Sequence, residues 1–332
     1  MKISNITLTI LLLIWLFTGC SENPAAPPNN SLPQDSIIIV DEYNDVANSL
    51  NLSTGKVTTL IGSAMCAQPS QPIAVLVSGN YAYFVISGTT SAVKKYNLST
   101  GQWAGTITYT GEEYAQGIAS DGNNLYVSFE GTSIMEAISL SSFSSSASVA
   151  TASLVAEGIF CTNGYVYLCL SGGYYSSYAN SCVGAIPVNN LQSNPVYSNV
   201  LTNPWVIDSD GAGSLYVSSE GTYNNNGGIT KITGSAITSI VQNKSFGCIK
   251  YATGYIYAAE YGNGIDIYTS SGSFIANIIT GININSIIYY NGCIYAEGND
   301  TVYAITTTGN IVIQTYNTGI NDSWGCAMAV YE

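Results

Sequence analysis

Carboxylates are the residues of this chain that are best able to do chemistry. The sequence contains 20 Asp and Glu residues, 7 basic residues that are all Lys, and no His. Without His, a serine triad, a Cys–His dyad and an ordinary zinc site are excluded. Any catalysis would depend on Glu, Asp or Tyr as acid and base, and the lack of His and Arg favours a binding protein over an enzyme.

Five glutamates recur at one place in the sequence pattern, directly after a run that alternates in the manner of a β-strand. They are Glu42, Glu130, Glu220, Glu260 and Glu297. If these carboxylates converge on one channel, they form a site for Ca²⁺, a hard cation that prefers carboxylate and carbonyl oxygens. Acids at strand ends that only face water produce the same pattern, so Ca²⁺ is an open alternative to having no cofactor.

A second group of residues occupies one equivalent position in seven strand starts aligned on AQGIAS, and it mixes aromatic rings with amides and a carboxylate. Its members are Gln71, Gln116, Glu157, Trp205, Phe246, Asn285 and Trp324. Aromatic faces bury the C–H surface of a sugar or another amphipathic ligand, while amides hold its hydroxyl groups. The group therefore predicts a ligand site, unless the rings only fill the end of a channel or pack between repeats. Tyrosines in two later loops would extend such a cleft: Tyr174, Tyr175, Tyr178 and Tyr223.

The elements that must position these residues repeat along the chain. Turn signals followed by alternating apolar and aromatic runs occur as SGNYAYFVIS, DGNNLYVSFE, TNGYVYLCLS, DGAGSLYVSSE, ATGYIYAAE and YNGCIYAEG. Their spacing is near the period of about 40 to 45 residues for a four-stranded propeller blade. The final run WGCAMAVYE is typical of the strand before such a hairpin, and SIIIVDEY of the strand after one. We therefore predict an all-β, seven-bladed β-propeller, closed by pairing of the C-terminal inner strand with the N-terminal strands.

The segment NLSTG occurs twice, at residues 51–55 and 97–101, each time between two strand-like runs. Asn and Gly tolerate the positive φ that tight hairpins require, so the segment predicts the turn between the two outer strands of a blade. The alternative is a pair of glycosylation sequons at Asn51 and Asn97.

The units IASDGNNLYVSFEGTSI and VIDSDGAGSLYVSSEGT resemble those of the YVTN, NHL and related exported propellers, a WD40-like group that includes quinoproteins. The resemblance covers nearly the whole exported part of the chain, but only at the level of the blade. It implies a scaffold for ligand binding or for lactonase, lyase or quinoprotein chemistry, and the fold does not choose among these. The five glutamates resemble the all-oxygen metal site of gluconolactonase-like propellers, whereas the lyase and quinoprotein types depend on His or Arg, which this chain lacks.

The N-terminal residues indicate export. Met1 and Lys2 precede an apolar run, and FTGC at 17–20 resembles the bacterial lipoprotein signal, in which the Cys is lipidated. We predict a signal peptide at 1–19, a lipidated Cys20 with a flexible tether at 20–36, and the propeller at 37–332. The alternative is an ordinary signal peptide that ends near a Cys. The predicted location is a bacterial membrane, with the protein on the outer membrane and facing the periplasm or the cell surface.

Three functional hypotheses follow from these observations. The first is a cell-envelope lipoprotein, anchored through Cys20 by acyl chains such as palmitate, whose propeller recognises a glycan, peptide or protein at the channel mouth. The second is a Ca²⁺-assisted hydrolase or lactonase, and the third is a structural or assembly scaffold. Nucleic acid is excluded as a partner because its binding depends on cations that neutralise phosphates, and this chain has few.

Overall fold

The computed structural model describes residues 32–62, 71–111, 114–151, 155–173, 177–222, 226–320 and 326–332. These residues form seven antiparallel sheets of four strands each, which are the seven blades of a β-propeller. The fold is all-β, as predicted, and the described ranges contain no helix that is long and apolar enough to cross a membrane.

Each blade contributes an inner strand next to the central channel and a second strand beside it. The inner strands of blades 1 to 7 are β28 (Cys326–Tyr331), β4 (Gln71–Ser78), β8 (Ala115–Ser120), β12 (Ala156–Thr162), β16 (Pro204–Ser209), β20 (Phe246–Ala252) and β24 (Ser286–Tyr290). The second strands, in the same blade order, are β1 (Ser36–Asp41), β5 (Tyr81–Ser87), β9 (Asn124–Phe129), β13 (Tyr165–Leu170), β17 (Ser214–Ser219), β21 (Tyr255–Glu260) and β25 (Cys293–Gly298).

The remaining strands form the outer half of each blade. The third strands are β2 (Val46–Asn51), β6 (Thr90–Asn97), β10 (Ile134–Ser139), β14 (Cys182–Pro187), β18 (Gly228–Thr233), β22 (Gly264–Thr269) and β26 (Thr301–Thr306). The outermost strands are β3 (Val57–Ile61), β7 (Gln102–Thr110), β11 (Ser144–Ala150), β15 (Val196–Asn199), β19 (Ala236–Gln242), β23 (Phe274–Ile278) and β27 (Ile311–Asn317).

The ring closes where the sequence predicted. The C-terminal β28 pairs antiparallel with β1, with Asp41 opposite Cys326 and Ile39 opposite Met328. Blade 1 therefore contains both ends of the described chain, and the pairing leaves no open edge beside the channel.

The apolar core lies between the blades. Seven clusters of buried apolar side chains occupy the seven interfaces between neighbouring blades. The largest fully buried side chains include Tyr126, Tyr216 and Tyr257 of the repeated Leu-Tyr-Val type of strand. Their rings fill the space between sheets, so each blade is stabilised mainly by its two neighbours.

The twin NLSTG segments are hairpin turns. The side-chain oxygen of Asn51 accepts the Thr54 N–H at 2.9 Å, and that of Asn97 accepts the Thr100 N–H at 3.1 Å. In both turns the glycine N–H donates to the Asn carbonyl at 2.8 Å. A short polar side chain that caps its own turn explains why the same sequence occurs twice.

The folded part begins before the predicted end of the tether. Leu32 is buried in the cluster between blades 1 and 2, and its N–H donates to the Leu98 carbonyl at 2.8 Å. Ser36 is already the first residue of β1. The predicted tether at 20–36 therefore overlaps the propeller at its C-terminal end.

Candidate ligand site at the channel mouth

The inner strands surround a central cavity of about 1040 Å³. Aliphatic side chains such as Ile73, Ile118 and Ile159 line its middle. The starts of the inner strands and the ends of the second strands surround one opening, which we call the mouth. Carboxylate, amide and aromatic side chains gather there, so the cavity has an apolar wall and a polar rim, as small-molecule sites commonly do.

Blades 3 and 4 place two carboxylates on this rim. Gln116 donates through Nε2 to the Glu130 carboxylate at 2.7 Å. Glu157 is only 6% exposed and accepts a hydrogen bond from the Ser171 hydroxyl at 2.9 Å. Both Gln116 and Glu157 line the cavity, as the sequence predicted for channel-facing residues.

Blade 5 contributes an aromatic ring, an amide and a further carboxylate. Trp205 and Glu220 line the cavity together with Asn203, which the sequence analysis did not identify. The Asn203 amide nitrogen donates to the Glu220 carboxylate at 3.4 Å. The Trp205 indole N–H is close enough to favour the ionised form of Glu220, although it falls outside the geometry of a hydrogen bond. Asn203 adopts a positive φ, which Asn tolerates, and nothing in the sequence separates it from the other Asn residues.

Close contact between blades 4 and 5 holds the Trp205 backbone in place. A Cβ on Gly158 would lie 1.9 Å from the Trp205 carbonyl oxygen, which is far inside van der Waals contact. Only glycine allows strands β12 and β16 to approach this closely. The glycine after Glu157 therefore determines where Trp205 sits on the rim.

Blade 7 and two tyrosines complete the described part of the mouth. The Asn283 amide donates to the Asn285 side-chain oxygen at 3.0 Å, and both residues line the cavity. Tyr178 from the loop after β13 lines it too, as predicted. Tyr261 also lines it and is 67% exposed, and nothing in the sequence pattern separated this residue from the many other tyrosines.

Burial controls the ionisation of the rim. Burial raises the pKa of Glu157 to about 8, the negative charges of Glu130 and Glu220 add to the rise, and the Ser171 hydrogen bond opposes it. Burial also raises the pKa of Glu220, while the Trp205 indole opposes that shift. The charges of Glu130 and Glu220 therefore disfavour a charge on Glu157, which holds a proton at neutral pH.

The opposite end of the channel differs in charge. Lys250 lies near the end of β20 and pairs with the Asp208 carboxylate at 3.0 Å, and both residues line the cavity. The Tyr251 N–H also donates to Asp208 at 2.6 Å. The end of the channel at Lys250 therefore carries a balanced ion pair, whereas the mouth carries carboxylates.

Phe246 lies in the blade core and not on the rim. Its side chain is 0% exposed and packs edge-on against Tyr268 with ring centroids 6.1 Å apart. A bulge shifts the register at this point, and the pairing makes Gly247 the equivalent of Gln116 and Glu157. One residue along a strand moves a side chain to the other face, which explains the difference from the prediction.

Two other residues of the predicted group also differ. Gln71 begins β4 opposite Ser87 and does not line the cavity, where Ile73 takes the equivalent place. Trp324 lies outside the described residues, as do Tyr174, Tyr175 and Tyr223. The described ring therefore contains Gln116, Glu157, Trp205 and Asn285 from the predicted set.

The five recurrent glutamates lie at two different positions relative to the second strands. Glu42, Glu130 and Glu220 each follow the last residue of a second strand, whereas Glu260 and Glu297 still lie inside β21 and β25. Glu260 pairs with Lys244 at 2.9 Å, and Glu297 is 0% exposed. Within the described ranges, no three Cys, Asp or Glu side chains come close enough together to hold a metal ion. Ca²⁺ binding by these five glutamates therefore stays a prediction.

The cysteines of the described blades are free thiols. Cys161, Cys169, Cys182, Cys248 and Cys293 form no disulfide. Burial raises the pKa of Cys161, Cys182 and Cys248 to about 11, so these thiols are protonated and act as small apolar side chains.

The fold and the mouth define a β-propeller with a ligand-sized channel cavity. No family model matches the sequence, and no curated protein matches it significantly. Solved structures share the fold. A protein of unknown function from Desulfotomaculum acetoxidans DSM 771 has a TM-score of 0.64 at 14% identity, over 90% of this chain and 99% of that one. The computationally designed Ika8 protein has a TM-score of 0.62 at 9% identity, over 90% and 91%. A chain from a nidogen/laminin complex has a TM-score of 0.56 at 10% identity, over 90% and 99%. At these identities the similarity concerns the fold alone.

Proposed function

We propose that this protein is a ligand-recognition propeller of the bacterial cell envelope, with its binding site at the channel mouth. The observation that carries the proposal is the position of Trp205 on the rim of a cavity of about 1040 Å³ beside Gln116, Asn203 and Asn285. Ligand sites typically enclose about 300 to 1,000 Å³, so the cavity is large enough for a short oligosaccharide or peptide segment.

The chemistry of the rim supports recognition rather than catalysis. A half-buried indole offers an apolar face, and the surrounding amide and carboxylate groups offer hydrogen bonds at its edge. The described residues supply no His or Arg, and the carboxylates that could act as acid and base are held by Gln116, Ser171 and Asn203. These contacts suit a rigid binding surface for a glycan, peptide or protein.

A broad glycan array tests the proposal, with a library of short peptides beside it. The full chain is compared with Trp205→Ala and with Trp103→Ala, which removes an indole from the outer strand β7. We expect a wild-type signal that Trp205→Ala abolishes and Trp103→Ala retains. Signals that survive in Trp205→Ala would place recognition elsewhere on the molecule.

We also propose that Cys20 anchors the protein to the membrane. The support is the FTGC sequence after an apolar run, followed by a Pro-rich segment. In a bacterial host, mass spectrometry of the mature N-terminus should find an acylated Cys20, and Cys20→Ser should release the protein from the membrane fraction. An unmodified N-terminus at another residue would overturn the anchor and leave the ligand site unaffected.

The Ca²⁺-assisted hydrolase stays a prediction that no contact in the described residues favours. Calorimetric titration with Ca²⁺ tests it directly, because the hypothesis requires a dissociation constant in the range of about 10⁻⁶ to 10⁻³ M. The scaffold hypothesis requires neither a bound cation nor a ligand at the mouth.

A further inference from the structure

We propose that the ligand reaches the mouth with a protonated primary amine, which is held by the side-chain oxygen of Asn203 and by the carboxylates of Glu220 and Glu157. This inference rests on the proposed function and specifies the ligand that the same site takes. Three observations on the described residues of the mouth support it. They are one unpaired acceptor, a set of carboxylates without a lysine partner, and aromatic faces nearby.

The unpaired acceptor is the side-chain oxygen of Asn203. The residue is only 3% exposed and lines the cavity, and its Oδ1 has no hydrogen-bond partner. Its amide nitrogen faces the Glu220 carboxylate at 3.4 Å, which fixes which end of the amide carries the oxygen. A buried acceptor without a donor is costly, so the site is built for a ligand that donates hydrogen.

The amide and hydroxyl donors of the rim are already engaged, whereas the Trp205 indole N–H beside Glu220 has no hydrogen-bond partner. The amide nitrogens of Gln116, Asn203 and Asn285 all face carboxylates, namely those of Glu130, Glu220 and Glu297. The Ser171 hydroxyl donates to Glu157. What the rim offers a ligand is therefore mainly acceptor capacity, which an ammonium with three donors matches and an anion does not.

No lysine of the described residues balances the carboxylates of the rim. Lys244 pairs with Glu260 and Asp266, and Lys250 pairs with Asp208 at the other end of the channel. Lys94, Lys95 and Lys231 lie over aromatic rings of the blades. Lys56 is exposed in the turn between β2 and β3, and the sequence stretches between the described ranges contain no lysine. Among the described residues the mouth is therefore a negative surface without its own cation, and a cationic ligand supplies one.

Aromatic faces add to this preference. Trp205 and Tyr261 line the same cavity, and Tyr261 is largely exposed. An ammonium over an aromatic ring is attracted to the negative face of the ring, whereas an uncharged amide gains none of this electrostatic attraction.

Proton release gives the binding a distinctive signature. Glu157 faces Glu130, Glu220 and the Ser171 hydroxyl, and burial beside these carboxylates raises its pKa to about 8. A bound ammonium would favour the ionised form, so the pKa of Glu157 falls on binding. At pH 7 the complex with a lysine amine, which is already protonated in solution, should therefore release protons to the buffer, which a neutral ligand would not cause.

Paired probes that differ only in the amine test the inference. The full chain in mild detergent is titrated at pH 7 with the β-1,4 disaccharide of glucosamine and with its N-acetylated form. A second arm uses Ala-Lys-Ala amide acetylated at its N-terminus, with and without acetylation at Nε, and thereby distinguishes a sugar source of the amine from a peptide source. Titration in two buffers of different ionisation enthalpy measures the protons released.

We expect the amine form to bind at least about tenfold more tightly than its acetylated partner in at least one arm. Glu220→Gln should remove most of that preference, whereas the matched control Glu136→Gln, on the third strand of blade 3, should leave it unchanged. Thermal unfolding of both variants checks that each remains folded.

Two results would overturn the inference, and they differ in what they say about the function. Equal or tighter binding of the acetylated probes would rule out recognition of the amine, but it would still agree with a ligand site at the mouth. If no probe binds in either arm, recognition of an amine is also ruled out. The glycan and peptide arrays would then test the proposed function independently.

Discussion

Glu220 and Glu260 occupy nearly the same point of two neighbouring blades, yet they meet opposite environments. Glu220 follows the last residue of β17 and lines the cavity without a lysine. Glu260 is the last residue of β21, pairs with Lys244 and accepts a hydrogen bond from Asn263 at 2.6 Å. The two positions differ by one residue relative to the strand. That difference places the Glu220 carboxylate at the cavity and the Glu260 carboxylate in the ion-pair network of its blade.

The blade 6 network shows what a paired carboxylate looks like in this protein. Lys244 reaches both Glu260 and Asp266, and Asp266 also accepts from the Tyr268 hydroxyl at 2.7 Å and the Asn277 amide at 2.9 Å. Each buried polar atom there has partners, whereas Asn203 at the mouth has an acceptor with none. Satisfied groups stabilise a fold, and unsatisfied groups at a cavity indicate binding.

The largest expected effect comes from breaking the paired region. Asp266→Ala removes the acceptor shared by Lys244, Tyr268 and Asn277. We expect the free energy of unfolding to fall by about 3 kcal/mol, because the buried Tyr268 hydroxyl loses its acceptor and the half-buried Lys244 and Asn277 each lose a partner. Denaturant unfolding measures this, and a loss below about 1 kcal/mol would show that the network contributes little.

Gly158→Ala tests whether the mouth depends on the contact between β12 and β16. The added Cβ would meet the Trp205 carbonyl oxygen, so we expect the free energy of unfolding to fall by about 2 to 3 kcal/mol. Gly62→Ala is the matched control, since a Cβ at Gly62 would have no atom within 4 Å. Similar unfolding midpoints for the two variants would contradict the close approach.

The protonated carboxyl of Glu157 predicts how stability depends on pH. Its folded-state pKa is raised to about 8, so the folded state holds a proton that the unfolded state loses near pH 4.5. This contribution to stability is present at low pH and is lost as the pH rises from about 4.5 to about 8.

Chemical unfolding of wild type and Glu157→Gln between pH 5.5 and 8.5 measures the effect. We expect wild type to lose about 2 kcal/mol more than the variant over this range. Parallel curves for the two proteins would mean that Glu157 is ionised in the folded state.

The smallest expected effects have opposite signs at the two glutamates. Glu220→Gln removes a charge that burial disfavours, so we expect it to be neutral or to stabilise by up to about 1 kcal/mol. Glu260→Gln removes one of the two partners of Lys244 and should destabilise by about 1 kcal/mol. Paired thermal melts at pH 7 compare the stability changes of the two variants. Changes of the same sign would contradict the proposed difference between Glu220 at the mouth and Glu260 in its ion-pair network.

The repeats predicted the fold because every blade carries its own local signals. The hairpin turns at Asn51 and Asn97 and the strands of the Leu-Tyr-Val type depend only on residues near one another in sequence. Ring closure followed from the two incomplete units at the ends of the chain, and β28 pairs with β1 as expected.

The site was predicted in β8, β12 and β16, where two unpaired residues interrupt the inner strand, but not in β4 and β20, where only one does. Gln116, Glu157, Trp205 and Asn285 line the cavity, but Phe246 does not, because the bulge in β20 moved the pattern by one residue. A bulge leaves no signal in an apolar run of the sequence. The sequence therefore does not show which side of the sheet the side chains beyond the bulge occupy. Asn203 was missed because its role depends on Glu220, which is 17 residues away in sequence and adjacent only in the fold.

The most direct test of the account is a crystal structure of the protein with the strongest ligand from the arrays. The account predicts ligand density at the mouth, against the Trp205 ring and within hydrogen-bonding distance of the Asn203 side-chain oxygen. Density on the outer strands instead, for example along the exposed Ile311 and Ile313 of β27, would contradict a binding site at the channel mouth.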